Sequence, residues 1–247
     1  MQAPLWQPSA ELVKNSRMME FIHFVNNRHD LTIQDYSQLY SWSIDCGQDF
    51  WASFWDFSGI LYQTPYDQII DNIGKMPGAK WFEGAKLNFA ENLLRFRDEK
   101  NAITFYCENG DRKTLTYSEL YKQVSNLAKA MKIMGVGKGD RVVGFLPNIP
   151  ETVIAMLATS SLGAIWSSCS PDFGVKGALD RFKQIKPKLL FTVNAYYYNG
   201  NQINCIDKVR NIQSDLSVQK TIIVPFIKGI KNNDIETVEL WEEFIAD

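Results

Sequence analysis

The chain has 247 residues, 45% apolar and 22% charged, which is the composition of an ordinary globular protein long enough to bury a core. Its 26 basic and 28 acidic residues leave a net charge of -2, so the composition does not favour nucleic acid or an anionic membrane as a partner. The sequence contains no signal-peptide pattern and no apolar run long enough to span a bilayer. We therefore expect a soluble, cytoplasmic protein with one or two domains.

The cysteines and histidines do not predict a metal site or a catalytic triad. No C-x-x-C pair occurs among the four cysteines, which indicates reduced thiols: Cys46, Cys107, Cys169 and Cys205. A histidine-based site would have to use His23 and His29, and histidines on an exposed helix or at its cap are far commoner than ligands. Because no histidine lies near it in the sequence, we interpret Cys169 as a packed thiol rather than a nucleophile.

Residues 1–95 predict a mainly helical region. Apolar residues recur at helical spacing after Ser9, again after Thr32, and a third time around residues 48–57. The first of these helices carries apolar residues from Leu12 to Val25. The third places four aromatic residues on one face, a pattern that favours packing against the following domain over a ligand cage: Phe50, Trp51, Phe54 and Trp55. A Pro- and Gly-rich connector follows at residues 76–84.

Residues 96–247 alternate strands with helices, which predicts the first part of a doubly wound, mainly parallel α/β sheet. The predicted strands cover residues 102–108, 114–117, 141–146, 188–193 and 220–224. The first predicted helix begins at a Thr116–Glu119 capping box and ends at Gly135. Further helices are predicted at residues 150–161, at a segment that includes residues 206–212, and at residues 238–246. The fold class is therefore α/β with a helical N-terminal extension.

The stretch from Ile165 to Gly174 predicts a short strand, a polar loop and the start of a helix. Ser170 is expected to cap that helix, with Pro171 in its first position and Asp172 near the positive end of its dipole. The helical pattern continues to Pro187.

Polar side chains in this stretch are candidates for ligand contact, because ligands of parallel sheets bind beyond the carboxyl ends of the strands. Ser167 and Ser168 could hydrogen-bond a ligand, with Trp166 as an apolar wall. A helix cap and a core tryptophan explain the same residues equally well. The tyrosines at residues 196–198 follow the next strand at the same edge, where they are either stacking groups or exposed loop aromatics.

Two nucleotide-binding motifs are excluded. The glycine-rich run at residues 135–139 follows a helix and precedes a strand, whereas a dinucleotide fingerprint requires the reverse order. The Walker pattern G-x-x-x-x-G-K-[ST] is absent. The charges of Lys138 and Arg141 are therefore interpreted as solvated turn charges rather than phosphate ligands.

Three motifs resemble the adenylate-forming (AMP-binding) superfamily. Residues 80–94, KWFEGAKLNFAENLL, resemble the N-terminal signature of its acetyl-CoA synthetase branch, and residues 115–120, LTYSEL, resemble its first core motif. Residues 146–151, LPNIPE, and 163–174, GAIWSSCSPDFG, are most similar to acetoacetate–CoA ligases within that branch. Acetyl-CoA synthetases instead carry Phe-Gly-Gly-Phe-Ser-Pro at the position of the Trp-Ser-Ser-Cys segment. The resemblance covers nearly all of the chain.

The resemblance implies an enzyme that uses ATP, coenzyme A and Mg²⁺ to join a carboxylate to a thiol through an acyl-adenylate. By position, Trp166, Ser167 and Ser168 match the family residues that line the pantetheine passage of coenzyme A, and Tyr198 is a further candidate for that passage. In the acetyl branch the loop after the next strand carries arginines that face the CoA nucleotide. The corresponding loop here, residues 197–201, has none.

The family's phosphate loop is expected after a segment like residues 239–245, so the resemblance implies the N-terminal piece of a longer ligase. Its partners would be small-molecule substrates and the rest of its own chain. No catalytic or metal-binding residue is expected within these 247 residues, and the piece alone is expected to be inactive. A ligase for another short acid (acetate or propionate), a non-catalytic CoA-binding or assembly module, and an unrelated α/β enzyme remain as alternatives. The missing glycine fingerprint disfavours a nicotinamide dehydrogenase.

Overall fold

The structure, a computed structural model, describes residues 4–230 and 238–246. The chain divides into two compact units, one ending at Leu87 and the other beginning at Asn88. Each unit has its own cluster of buried apolar side chains. Within the described residues, no helix is both long enough and apolar enough to span a membrane.

The N-terminal unit is helical, with one short antiparallel β-hairpin. Its helices are α1 (Ala10–Lys14), α2 (Arg17–His29), α3 (Tyr36–Asp45) and α4 (Gly47–Ser58), and its strands are β1 (Gln68–Ile70) and β2 (Trp81–Glu83). The core of this unit comprises Phe21, Ile22, Val25, Ile33 and Leu39.

The single helix predicted from Ser9 through Val25 is wrong, because two helices occupy this stretch. Ser9 caps α1 as predicted, and the Ser16 hydroxyl then accepts a hydrogen bond from the Met19 N–H at 3.3 Å and caps α2. A serine side chain competes for backbone N–H groups in this way, so the helix stops and begins again within two residues.

The aromatic face of α4 has partners inside its own unit. The ring centroid of Trp51 lies 5.9 Å from that of Trp81, and that of Trp55 lies 4.7 Å from that of Phe82. Phe50 and Phe54 both contact Phe21, each at 5.8 Å. These contacts identify the face as packing surface.

The second unit is built on a parallel sheet. Its strands are β3 (Asn101–Tyr106), β4 (Arg112–Thr116), β5 (Arg141–Phe145), β6 (Ile165–Cys169), β7 (Leu189–Val193), β8 (Ala195–Tyr198), β9 (Asn201–Asn204), β10 (Lys220–Val224) and β11 (Val238–Leu240). Its helices are α5 (Phe89–Leu93), α6 (Tyr117–Ile133), α7 (Pro150–Ser161), α8 (Gly174–Ile185), α9 (Ile206–Asp215) and α10 (Trp241–Phe244).

Five strands form the sheet in the order β11-β10-β7-β5-β6, and all neighbours in it are parallel. The remaining strands form two antiparallel hairpins, β3–β4 and β8–β9. The chain runs from β5 through α7 to β6 at one side, and then returns through α8 to β7 at the other side of β5. This confirms the predicted α/β class with a doubly wound parallel sheet.

Local sequence explains these elements well. The predicted capping box opens α6, since the Thr116 hydroxyl accepts from the Glu119 N–H and the Glu119 carboxylate accepts from the Thr116 N–H. Pro150 occupies the first turn of α7, where its missing N–H costs nothing. β7 is buried at all five positions, as expected for a central strand covered on both faces.

Two predictions for the second unit are wrong. The helix predicted at residues 238–246 is strand β11 followed by the short helix α10, because Val238 pairs in register with Thr221 of β10. Ser170 does not cap α8 directly. It caps a one-turn 3-10 helix at Pro171–Phe173, and α8 follows at Gly174, whose φ of 67° lies in the left-handed region that favours glycine.

The β8–β9 hairpin was not predicted, although the sequence encodes its turn. Asn199 and Gly200 both have positive φ, at 49° and 75°. A two-residue Asn-Gly turn of this kind matches the twist of the strands that it joins.

Candidate functional site

A crevice of about 570 Å³ opens at the carboxyl ends of the sheet strands. β5 and β7 are neighbours, but the connection after β5 leads to one side of the sheet and the connection after β7 leads to the other. In doubly wound sheets such a reversal leaves a space between the two loops, and ligands bind there.

Segments that follow four neighbouring strands of the sheet, β10, β7, β5 and β6, line the crevice, together with one strand end of the β3–β4 hairpin. The lining comprises Phe105, Tyr106, Cys107, Glu108, Leu146, Pro147, Asn148, Ile149, Thr152, Ser168, Cys169, Ser170, Asp172, Phe173, Arg181, Tyr196, Tyr197, Tyr198 and Phe226. Aromatic rings are prominent in this set.

A hydrogen-bonded carboxylate joins two of these segments, the 3-10 helix after β6 and strand β8. The Tyr196 hydroxyl donates to Asp172 Oδ1 at 2.7 Å, and the Ser170 hydroxyl donates to Asp172 Oδ2 at 2.8 Å. These two hydrogen bonds lower the pKa of Asp172. Burial, followed by the hydrogen bond to Asp172, raises the pKa of Tyr196. At neutral pH the pair is therefore a charged carboxylate with a neutral phenol.

A buried asparagine fixes the loops after β7 and β10 to each other. Asn194 Nδ2 donates to the Ile227 carbonyl at 2.7 Å, and the Ile227 N–H donates to Asn194 Oδ1 at 3.1 Å. The backbone carbonyl of Asn194 also accepts from the Cys205 N–H at 2.8 Å. One side chain therefore satisfies both backbone groups of a neighbouring loop, which holds this part of the crevice rim in place.

The predicted site residue Trp166 lies beside the crevice rather than in its lining. Its indole covers Gly144 of the neighbouring strand, where a β-carbon would come within 2.6 Å of the ring. Its ring centroid is 6.2 Å from that of Phe191, and its Nε1–H donates to Ser168 Oγ at 3.2 Å. Trp166 thus packs on the sheet and orients the hydroxyl of Ser168.

Of the other three predicted site residues, two line the crevice and one lies on the opposite face of its strand. Ser168 and Tyr198 both line the crevice. Ser167 points to the opposite face of β6 from Trp166 and Ser168, because successive residues of a strand alternate between faces. The structure therefore brings together two of the four candidates, with a third in contact with one of them.

Cys169 lines the crevice as a protonated thiol. Burial raises its pKa to about 11, and the nearby charge of Arg181 opposes this shift only in part. A thiol with such a pKa carries very little thiolate at neutral pH, so it is a poor nucleophile. This agrees with its interpretation as a packed thiol.

The pairing of Asp172 with Tyr196 and the contribution of Phe226 were not predicted. Asp172 and Tyr196 are 24 positions apart and belong to different elements, the 3-10 helix and β8, so no local pattern connects them. The only available signal was that each follows a predicted strand of the same sheet.

No metal site accompanies the crevice in the described part of the chain. Within residues 4–230 and 238–246, no three His, Cys, Asp or Glu side chains come together as metal ligands. No chemical step is therefore assigned to a metal held by these residues.

A crevice at the reversal point of a doubly wound sheet is typical of nucleotide- and cofactor-using α/β enzymes. A family model described as AMP-binding enzyme matches residues 89–243, and one described as acetyl-coenzyme A synthetase N-terminus matches residues 36–93. The first match covers more than half of the chain, so the chain belongs to the AMP-binding enzyme family.

Individual relatives agree with this assignment. The acetoacetyl-CoA synthetase of Macaca fascicularis is 41% identical over 240 residues, which cover 95% of this chain and 35% of the relative. The malonamoyl-CoA synthetase of Penicillium aethiopicum is 38% identical over 237 residues, covering 93% of this chain and 32% of the relative. The solved acetoacetyl-CoA synthetase from Streptomyces lividans is 36% identical with a TM-score of 0.90, covering 100% of this chain and 38% of that one. The chain thus spans about a third of the length of the curated relatives it matches.

Proposed function

We propose that this chain is the N-terminal part of an acid–thiol ligase that converts acetoacetate, ATP and coenzyme A into acetoacetyl-CoA, AMP and diphosphate. The observation that carries this proposal is the similarity, along the whole chain, to a solved acetoacetyl-CoA synthetase. In the same proposal, residues 1–95 form an N-terminal region of the acetyl-CoA synthetase type, and residues 96–247 form the first part of the AMP-binding domain. The matches of the two family models support this division.

The chemistry of such a ligase has two steps. A carboxylate oxygen attacks the α-phosphorus of ATP and diphosphate leaves, which gives a mixed anhydride with a good leaving group. The thiol of coenzyme A then loses its proton, its sulfur attacks the acyl carbon, and AMP leaves. Holding the reactants in line supplies much of the rate enhancement in reactions of this kind.

We assign the crevice to coenzyme A rather than to the adenylation step. Ser168 and Tyr198 line it, and Trp166 donates a hydrogen bond to the Ser168 hydroxyl, which supports a role for these residues along the pantetheine arm. Ser167, half-buried on the other face of β6, belongs to the same proposed passage as a backbone position. ATP is assigned to segments of the complete protein outside this chain, because the chain has no Walker phosphate loop and spans about a third of the length of its relatives.

Diphosphate release by the complete protein tests the ligase proposal. Acetate, propionate, acetoacetate and malonamate are compared at equal concentration, with the 247-residue chain assayed alongside. Malonamate is included because a 38% identical relative is named a malonamoyl-CoA synthetase. We expect release with acetoacetate from the complete protein and none from the 247-residue chain.

Three results would contradict parts of this proposal. Preference for another acid would refute acetoacetate as the substrate but would still support an acid–thiol ligase. Acetoacetate-dependent release by the 247-residue chain alone refutes the assignment of ATP to other segments. If the complete protein is inactive on every acid but coenzyme A still binds, a non-catalytic binding module replaces the ligase.

A further inference from the structure

The charges that line the crevice are unsuited to a ligand made of phosphate groups. Three charged residues contribute to the described lining, the acidic Glu108 and Asp172 and the basic Arg181, so the carboxylates outnumber the guanidinium. The loop at residues 197–201 adds neither lysine nor arginine. A phosphate entering this space would therefore meet more negative than positive charge.

The one guanidinium among the described lining residues is already engaged. Arg181 donates to the Gly177 carbonyl at 2.7 Å, and its guanidinium carbon lies 4.4 Å from the centre of the Phe173 ring. A phosphate contact would compete with both interactions, because some of the guanidinium N–H donors that would bind a phosphate already serve the Gly177 carbonyl.

Hydrogen bonds hold the two carboxylates in place. Glu108 accepts a hydrogen bond from the Gly200 N–H at 3.0 Å. Asp172 accepts from the hydroxyls of Tyr196 and Ser170, which also lower its pKa. The lowered pKa of Asp172 keeps that carboxylate charged at neutral pH, so it repels an anion.

Two cationic side chains close to the crevice make cation–π contacts with aromatic rings. Lys208 Nζ lies 5.8 Å from the centre of the Tyr196 ring and donates to the Pro171 carbonyl. The Arg112 guanidinium lies 4.9 Å from the centre of the Tyr106 ring. Neither side chain belongs to the described lining.

The aromatic part of the lining suits an uncharged ligand. Seven rings line the crevice: Phe105, Tyr106, Phe173, Tyr196, Tyr197, Tyr198 and Phe226. Three of them, Tyr106, Phe173 and Tyr198, keep more than half of their surface exposed. Exposed rings beside hydroxyl groups can cover methylene groups, hydrogen-bond amides or stack on a flat base.

We propose that this crevice recognises coenzyme A through its uncharged parts, the pantetheine arm and the adenine base, and makes no favourable contact with its phosphate groups. The inference rests on the proposed function, since it concerns how the same site holds the thiol substrate. It predicts that the 3'-phosphate does not contribute to binding at this crevice.

The test compares coenzyme A, dephospho-coenzyme A and pantetheine as ligands of the full 247-residue chain. Dissociation constants are measured by ligand-observed NMR at low and high salt, and saturation transfer identifies the ligand protons that contact the protein. We expect the Kd values of coenzyme A and dephospho-coenzyme A to agree within about twofold and to change little with salt. Saturation should reach the adenine and pantetheine protons.

Variants of Tyr198 provide the matched comparison. Tyr198→Ala should weaken all three ligands or remove the adenine signal, whereas Tyr36→Ala, at a tyrosine of similar exposure in the N-terminal unit, should have no effect (59% and 61% exposed). Tyr198→Arg adds a second guanidinium beside Arg181, which is already engaged, so it should make coenzyme A bind better than dephospho-coenzyme A. Circular dichroism checks that each variant is folded.

The outcomes separate this inference from the proposed function. Coenzyme A binding about tenfold or more tighter than dephospho-coenzyme A, with strong weakening by salt, would overturn the inference and leave the CoA site intact. Unchanged affinities in folded Tyr198→Ala would also overturn it. Absence of binding by all three ligands would refute the assignment of the crevice to coenzyme A, whereas the ligase activity is judged independently by diphosphate release.

Discussion

Replacing Gly144 by alanine should destabilise the sheet unit because the indole of Trp166 covers that position. A β-carbon at Gly144 would lie 2.6 Å from Trp166 Cζ2, 2.7 Å from Cη2 and 3.3 Å from Leu146 Cδ1. Ordinary carbon contacts lie at about 3.5–4.0 Å, so the ring must move by about 1 Å. Such overpacking costs about 1–3 kcal/mol.

The backbone term acts in the opposite direction. Alanine restricts the unfolded chain more than glycine does, which favours alanine by about 0.5–1 kcal/mol inside a strand. The net expectation for Gly144→Ala is a loss of about 1–2 kcal/mol in the free energy of unfolding. With a urea dependence of about 2 kcal/mol per molar, the midpoint falls by about 0.5–1 M.

The unfolding measurement should report on the sheet unit alone, because the chain has two units with separate cores. Urea unfolding is therefore followed by hydrogen-exchange mass spectrometry of peptides from β5. Gly137→Ala is the matched control, since a β-carbon there has no neighbour within 4 Å and its φ is not positive. This control should be neutral or slightly stabilising.

A double-mutant cycle with Trp166→Ala separates the clash from other effects. In that background the alanine at position 144 has no indole to displace, so its cost should disappear. The resulting coupling energy should be about 1–2 kcal/mol. If Gly144→Ala costs the same with and without the indole, the account of this contact is wrong.

Three further predictions concern the turns and thiols of the second unit. Asp140 accepts hydrogen bonds from the Gly137 N–H and from Lys188, which lower its pKa. Asp140→Asn should therefore lower the free energy of unfolding by about 1–2 kcal/mol at pH 7, and by progressively less as pH falls through the folded pKa. An equal loss in urea titrations at acid pH would contradict this. Asn194→Ala should cost about 2–4 kcal/mol in the same titrations, since it leaves two backbone groups of Ile227 unpaired, and a loss below about 0.5 kcal/mol would refute the role of that lock. Cys169, with a pKa of about 11, should react with a disulfide reagent at pH 8 far more slowly than the half-buried Cys46 and Cys107. Equal rates would show that Cys169 is accessible as a thiolate.

The sequence predicted best the elements that carry their own boundary signals. The helix at Pro150–Ser161 and the strand at Lys220–Val224 match the structure at both ends, because a proline or a polar turn frames an apolar run. β11 was mistaken for helix because three residues have no readable period, and their extended form depends on pairing with β10. Tertiary context decided that element.

The candidate site was predicted only where local order was enough. Placing Ser168 and Tyr198 at the carboxyl edge of the sheet required only the order of the elements, and both line the crevice, although they lie in the last residues of β6 and β8 rather than in loops. The orientation of Trp166 depends on the register that sets Ser168 beside Gly144. The hydrogen bond between Asp172 and Tyr196 depends on the 3-10 helix and β8, which meet only in space. Neither relation can be obtained from spacing along the chain.

The strand order has a consequence for synthesis on the ribosome. β5 is made first among the five strands of the sheet, β6 then adds to one of its edges, and β7 adds to the other. β10 and β11 follow outward in turn, so no strand has to enter between two that are already paired. The described sheet can therefore grow in the order of translation, and at each moment only its outermost strands present unpaired edges to other nascent chains.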